Sequence, residues 1–410
     1  MTLPGVVLRA LRHRPLATAL SALSVALGVG LTVGIDSLRR EARSHFEGVA
    51  TGVDLVVGPK GSPLQIVLFA VFQVDEAPGT LPESVYRALR EDPRVAAALP
   101  WIVGDSVRGF RIVGTSPEAF GFEARSGAVV RCVDGRPFAA FDAARPAWEA
   151  VLGATVAAET GLRTGDSFVA THGLASREAD PGHEEAPWKV VGVLEPTGTS
   201  FDRVVLIHYE AFYAMEGHDA TAGKADAAGR QVSAVLVRTH NPVFTLQLFH
   251  EIRAGDEAQP ARPLEEVRRL FDIVGSADRL LLAVSVLVVV VAAVGILVSM
   301  TNSLGERRRE LALVRALGAP RRVVAGLLVA EASAVGALGA AGGILAGHAL
   351  VAAGAARLTE WSGVRIGAAA LTPQDLWFAG GAVLLCAAAG ILPAWRAYRV
   401  DVAAGLAPSA

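Results

Sequence analysis

"GERRRELALVRALGAPRRVV", residues 305–324, carries six arginines (Arg307, Arg308, Arg309, Arg315, Arg321 and Arg322) between two of the most apolar stretches of the chain. Residues 280–304 before it hold no charged side chain. Residues 323–356 after it are interrupted only by Glu331 and His348. A helix rises about 1.5 Å per residue, so about twenty apolar residues cross a hydrocarbon core of about 30 Å. Two further runs suit that role. Residues 16–35 are uncharged, and residues 376–395 are apolar through Leu392 and flanked by Trp377 and Trp395, as in an interfacial aromatic belt. With 52% hydrophobic residues in 410, the chain has more apolar side chain than a soluble core of this size requires.

The net charge of −2 hides an uneven layout. Arg9, Arg12 and Arg14 precede the first run, the six arginines separate the second and third, and Arg396 and Arg399 follow the fourth. In a four-span layout these groups share one side, which the positive-inside rule makes the cytoplasm. The reading is then 1–15 cytoplasmic, 16–35 first span, 36–279 external, 280–304 second span, 305–322 cytoplasmic, 323–356 third span, 357–375 a short external loop, 376–395 fourth span and 396–410 cytoplasmic. Residues 16–35 read as an anchor and not a cleaved signal, because signal apolar regions run about 7–15 residues and no A-x-A-like site follows. Cys132 and Cys386 fall in different regions, so no disulfide framework is implied.

The external region reads as a folded α+β unit. "FRIVGTS" (110–116), "SFVATHG" (167–173), "WKVVGVL" (188–194) and "RVVLIHY" (203–209) have β-branched, partly alternating patterns bounded by turn residues. "PESVYRALRED" (82–92) and "PLEEVRRLFDIV" (263–274) have helical spacing, and the second is expected to run on into the second span. Residues 216–231 read as a loop, and no repeat of 20–50 residues is present.

The arginine segment resembles the signature of the FtsX-like permeases of ABC transporters. Its parts are "ERRRE" (306–310), "RALGA" (315–319), the pair Arg321–Arg322 and an acidic residue, Glu331, in the helix that follows. "LPAWRAYRVDVAAGL" (392–406) is similar to that family's closing segment, with Val402 where proline is common. Residues 135–168 and 188–215 resemble the extracytoplasmic domain of the MacB-type branch, whose layout is one span, a large external domain and three further spans. The resemblance implies an α-helical membrane protein with four transmembrane helices and a large α+β domain inserted between the first and second, in a bacterial inner membrane with both termini cytoplasmic. It also implies a cytoplasmic ATPase partner, in two copies, and a second permease protomer, identical or related.

Glu306, Arg307, Arg308, Arg309, Glu310, Leu311, Val314, Arg315, Gly318, Arg321 and Arg322, with Pro393 and Arg396, are the residues that the resemblance assigns to ATPase coupling. A short amphipathic helix from Glu306 to about Leu317 would put its acid early and Arg315 late, matching the helix dipole. Gly318 would end it ahead of Pro320. Glu331, well inside the third span, is expected to serve helix packing or hydrogen bonding, since a charge at that depth has to face protein or a partner. Gly339, Gly343 and Gly347, four residues apart, are expected to allow close helix approach, within the chain or across a dimer. "SPLQIVLFAVFQV" (62–74) is apolar but too short to span. It reads as core, with a second reading in which Leu64, Ile66, Leu68, Phe69 and Phe72 line a groove for a lipid or amphipathic substrate.

No catalytic, cofactor-binding or metal site is assigned. There is no G-x-x-x-x-G-K-[ST] phosphate loop; "VVGPKGS" (56–62) lacks the spacing, so ATP and Mg are expected on a separate partner chain. "HEEAP" (183–187) and "HEIRA" (250–254) lack the second histidine of a zinc motif. The histidine- and acid-rich segment 172–185 reads as a solvated loop, and nothing points to nucleic acid. The expected function is to transmit ATP-driven motion to the external domain and so extract or expel a lipoprotein, lipid, peptide or drug-like substrate, with a periplasmic adaptor or substrate protein as a further partner. The alternative is a scaffold that moves no cargo and regulates a periplasmic partner such as a cell-wall hydrolase.

Overall fold

A computed structural model describes residues 3–13, 15–74, 76–125, 127–144, 147–172, 187–215, 229–316, 319–362 and 371–399. The helices are α1 (Leu3–His13), α2 (Pro15–Ala50), α3 (Pro63–Ala70), α4 (Glu83–Glu91), α5 (Ala154–Thr160), α6 (Tyr209–Ala214), α7 (Pro242–Ala254), α8 (Pro263–Ala316), α9 (Arg321–Ser362) and α10 (Pro373–Tyr398). The chain forms two compact units. One comprises Met1–Ala42, Val274–Arg357 and Ile366–Ala410; the other comprises Arg43–Ile273 and Leu358–Arg365. Helices α2 and α8 contribute residues to both.

The first unit is a helical bundle. Four of its helices are long and apolar enough to cross a membrane. On α2, Leu16, Leu20, Leu23, Leu27 and Leu31 are exposed at helical spacing, while Val25, Val29 and Val33 are buried. On α8, Val284, Leu287, Val291, Val294 and Val298 point out, and Val289, Ala292, Ile296 and Met300 point in. A bundle that turns continuous leucine and valine faces outward asks for hydrocarbon around it. Helix α1 belongs to this unit too. Val7, Ala10 and Leu11 are buried, Arg9 and Arg12 are exposed, and Val7 and Leu11 join the bundle core with Val25 and Val29. Its buried residues follow i, i+3, i+4 spacing, one face of an amphipathic helix.

Helix α8 departs from expectation. It starts on Pro263 with Glu265 and Glu266 in its first turn and continues for 54 residues to Ala316. Residues 306–316 are therefore its last three turns, not a separate short helix. Gly305 marks the join, Gly275 and Gly295 lie earlier in the same helix, and an interior glycine costs about 1 kcal/mol, too little to break a helix without a proline. Leu317 and Gly318 lie outside the described residues, as do the side chains of Glu306–Val314.

The second unit is built on an 11-stranded mixed sheet. Its main path runs Gln259–Ala261, Leu55–Gly58, Ala234–Thr239, Val95–Val107, Phe110–Thr115, Val204–His208, Glu149–Leu152, Trp188–Leu194 and Cys132–Gly135. Most pairs are antiparallel, but Val204–His208 runs parallel to Phe110–Thr115, and Trp188–Leu194 parallel to Glu149–Leu152. Both faces are covered, and the period-2 alternation sends neighbours to opposite sides. Leu55, Val57, Ile112, Val205, Ile207, Val235 and Val237 fill one core; Val56, Val113, Val204, Leu206 and Leu236 fill the other. Val95–Val107 contains Pro100, which the sheet tolerates because the strand there pairs only with Ala234–Thr239; its pairing with Phe110–Thr115 begins at Ile102.

Candidate functional site

The end of the bundle that carries the arginine motif is built from three helix termini. Leu304 of α8, Val324 and Leu328 of α9, and Ala394 and Ala397 of α10 make a small apolar cluster there. Small residues at 394 and 397 let α10 lie close, and Pro393 is buried beside them. The arginines ring this cluster. Arg321, Arg322, Arg396 and Arg399 are exposed. The Arg399 guanidinium lies 3.8 Å from the centroid of the Trp395 ring, and Arg321 lies 5.6 Å from that of Tyr398. No carboxylate is within ion-pairing distance of these four arginines among the described residues. A cationic rim on an apolar cluster suits a surface that meets negative charge. Arg315 is half-buried, unlike this rim.

Deeper in the bundle, Glu331 lines a cavity of about 40 Å³ with Thr18, Ser21 and Ser299. Its side chain therefore borders protein hydroxyls, not only lipid. Gly339, Gly343 and Gly347 lie against α2. A Cβ on Gly343 would stand 2.7 Å from the Ala26 carbonyl oxygen and 3.0 Å from the Gly30 nitrogen. On Gly347 it would stand 2.8 Å from the Gly30 carbonyl oxygen, and on Gly339 2.7 Å from that of Ala22. The two helices meet backbone to backbone along this seam.

At the opposite end of the bundle lies a polar cluster that the sequence reading missed. Asp375, fully buried, closes the capping box that starts α10, accepting from the Thr372 N–H at 2.8 Å and the Thr372 hydroxyl at 3.0 Å. Arg40 of α2 ion-pairs with Asp36, donates to the Gln374 side-chain oxygen at 2.8 Å and lies 3.5 Å from Asp375 Oδ1. His348 of α9 places Nε2 3.4 Å from Asp375 Oδ2. Three helices are thus tied through one carboxylate. The sequence signals were "TPQD" (372–375), a capping-box pattern, and the i, i+4 pair Asp36–Arg40.

In the second unit the proposed groove is corrected. Ile66 and Phe69 are buried in the core beside Val67, Leu99 and Val113, so they line no open surface. Leu64 and Leu68 are half-buried. Phe72 packs on Phe46 at 4.8 Å between ring centroids, and Phe46 meets Phe271 at 6.0 Å. Arg268 is 3.5 Å from Glu47 in the same place. The apolar stretch therefore seats the end of α2 and the start of α8, and an amphipathic pattern of Ile66, Val67, Phe69 and Ala70 inward explains why it is helical core.

Elsewhere in this unit, His208 is mostly buried and its Nδ1 accepts from the Glu210 N–H at 3.2 Å, capping α6. Burial pushes its imidazole below its ordinary range. Burial likewise pushes the neighbouring Tyr209 phenol well up. Among the described residues no group of three or more His, Cys, Asp or Glu side chains is placed to hold a metal ion. The segment 172–185 lies outside the described residues beyond the backbone of His172, and 216–228 is also outside them.

Residues 18–254 match the family described as the MacB-like periplasmic core domain, more than half of the chain. The chain belongs to the MacB-like family. Residues 282–402 match the FtsX-like permease C-terminal domain, which takes in the arginine motif, α9 and α10. Four apolar helices with a mixed-sheet domain inserted between the first and second are the layout that these two matches imply. The macrolide export ATP-binding/permease protein MacB of Nitrobacter winogradskyi is 25% identical over 428 residues, which cover 97% of this chain and 59% of that protein. The protein of the same name from Brucella abortus is 26% identical over 249 residues, 54% of this chain and 34% of its own length. This MacB-like chain thus spans about three-fifths of the first relative. Among solved structures, the periplasmic region of MacB from Actinobacillus actinomycetemcomitans gives a TM-score of 0.36 at 10% identity, covering 54% of this chain and 94% of that one. The extracellular domain of the noncanonic ABC-type transporter YknZ from Gram-positive bacteria gives 0.30 at 14%, covering 50% and 98%.

Proposed function

We propose that this chain is the permease subunit of an ABC-type complex in a bacterial inner membrane, and that it transmits ATP-driven motion of a separate cytoplasmic ATPase to its periplasmic unit. The observation that carries the reading is helix α8. One unbroken helix holds the "ERRRELALVR" segment at its C-terminal end and residues of the sheet-containing unit at its N-terminal end. A helix is stiff along its axis, so a displacement applied at residues 306–316 is felt along its whole length. Two ATPase copies and two permease protomers would complete the assembly. ATP and Mg would sit on that ATPase partner. The work performed would be extraction or expulsion of a lipoprotein, lipid, peptide or drug-like substrate, with a periplasmic adaptor or substrate protein engaged outside. The second reading is a scaffold that regulates a periplasmic partner such as a cell-wall hydrolase. Burial of Ile66 and Phe69 favours it to this extent: the apolar groove that cargo handling would have used is filled.

The test is co-purification of the full chain from membranes with its ATPase, followed by charge reversal at Arg308 and Arg315. The expected result is normal membrane insertion with the ATPase lost, or retained with its activity uncoupled from function. Unchanged association and coupling in the doubly reversed chain would refute the role of the segment.

A further inference from the structure

Between α9 and α10, at their arginine-bearing ends, is an open cleft of about 650 Å³. Its floor is made of small residues. Ala325 and Ala394 line it, and a Cβ added to Gly326 would meet nothing within 4 Å. Its mouth is cationic, since Arg321 and Arg399 line it and have no carboxylate within ion-pairing distance among the described residues. The Arg399 guanidinium lies over the Trp395 ring, and a guanidinium on a ring face donates through its edges. The far end is apolar, at Val329 and Ile391.

We infer that this cleft binds an anionic phospholipid of the leaflet on the arginine side. Three features select that occupant. The first is charge: two guanidiniums and, among the described residues, no acid line the mouth, and arginine takes phosphate oxygens with paired N–H donors. The second is direction. From Arg321 to Val329 is about 12 Å along the helix, so the cleft runs from a charged end into the apolar part of the spans, as a headgroup followed by an acyl chain does. A soluble protein partner would reach the mouth but not Val329 and Ile391. The third is size, because 650 Å³ is room for a headgroup, glycerol and the first part of a chain. Trp395 and Tyr398 mark the interface depth at which such a headgroup lies. The inference needs the membrane-spanning reading but not the ATPase partner, so either can fail alone.

The experiment uses the full chain in mild detergent, titrated with phosphatidylglycerol, with phosphatidylethanolamine and with inorganic phosphate, and read by native mass spectrometry. Phosphatidylglycerol is expected to bind at least about tenfold tighter than phosphatidylethanolamine, because each arginine near the headgroup adds of the order of a fivefold step. The double variant Arg321→Gln/Arg399→Gln should lose that preference. Gly326→Leu on α9, which keeps both charges but fills the floor, should also lose phosphatidylglycerol, whereas Gly380→Leu, on an open face of α10 outside the cleft, should keep it. Equal binding of the two lipids, or wild-type affinity in both cleft variants, would overturn the inference. So would inorganic phosphate competing as well as the lipid, which would mean an anion site alone. A photo-crosslinker at Trp395 should label lipid; labelling of a second copy or of the ATPase instead would assign the cleft to that partner.

Discussion

Replacing Gly343 by alanine tests a close backbone contact in the bundle. The new Cβ would lie 2.7 Å from the Ala26 carbonyl oxygen, 2.9 Å from Val29 Cβ and 3.0 Å from the Gly30 nitrogen. Ordinary contacts to carbon are about 3.5–4.0 Å, so α2 and α9 must separate by roughly half an ångström to one ångström. Two of the three atoms are backbone and cannot rotate aside. At Gly28, in contrast, the nearest atom is a side-chain methyl of Val289, which can shift. Separation weakens the dispersion contacts along the whole seam, since gaps of that size forfeit about a quarter to a half of each contact's well. The expected loss is about 1–3 kcal/mol. Gly354→Ala and Gly380→Ala are the controls, because nothing lies within 4 Å of either new Cβ. There alanine should be neutral or stabilise by up to about 1 kcal/mol through helix propensity. The assay is reversible unfolding of the purified chain in one detergent with increasing SDS. If Gly343→Ala matches the two controls within about 0.5 kcal/mol, the backbone-to-backbone seam is wrong.

Asp375→Asn keeps an acceptor for the capping box but removes the charge that Arg40 and His348 share, and should cost about 1–3 kcal/mol in the same assay. Arg43→Ala, which breaks the partly exposed pair with Glu47, should cost less than about 1 kcal/mol; equal effects would show that the Asp375 cluster is not structural. His208 gives a pH dependence. Its folded imidazole titrates below the ordinary value of 6.5, so the unfolded chain takes up the proton first as pH falls. Its contribution is therefore intact above about pH 6.5 and is lost progressively below that, with a slope of at most about 1.4 kcal/mol per pH unit. His208→Gln, which retains an acceptor for the Glu210 N–H, should flatten the difference between thermal unfolding at pH 7.5 and pH 5.5; an unaltered difference would assign it to other groups.

What the sequence disclosed follows from how local each signal is. The apolar runs behind α2, α8, α9 and α10 are readable because a span must satisfy lipid along its own length, whatever it packs against. "FRIVGT" and "RVVLIH" are readable as strands because β-branched residues fill both faces of a covered sheet. Val95–Val107 is not, because "VAAALP" has one β-branched residue and no alternation, and its pairing with neighbouring strands, chiefly Ala234–Thr239 and Phe110–Thr115, holds it extended. The end of α8 was hidden for the reverse reason. A change of composition at residue 305, from apolar to cationic, reads as a boundary, yet backbone hydrogen bonding does not register that change.

The same distinction separates the two ends of the bundle as functional sites. Charge placed between apolar runs is conspicuous in one dimension, so the arginine segment could be singled out and matched to a family before any contact was known. The Asp375 cluster joins the i, i+4 pair 36 and 40, residue 348 and the cap at 374–375, and no spacing rule connects these three segments to one another. The lipid cleft is harder still, because its selectivity comes from what Gly326, Ala325 and Ala394 leave unfilled. A side chain that is absent has no sequence period. Arg321 and Arg399 are 78 positions apart; Arg321 reads as part of the ATPase-coupling motif and Arg399 as one more charge of a topology signal. Only when α9 and α10 are packed do they become two donors at the mouth of one space. Beside ATPase coupling, two of the roles proposed for the arginines are therefore separable: orienting the chain through their number on one side, and selecting a ligand through the position of Arg321 and Arg399. Arg321→Gln/Arg399→Gln should leave the first intact, since many other cations remain on that side, while abolishing the second.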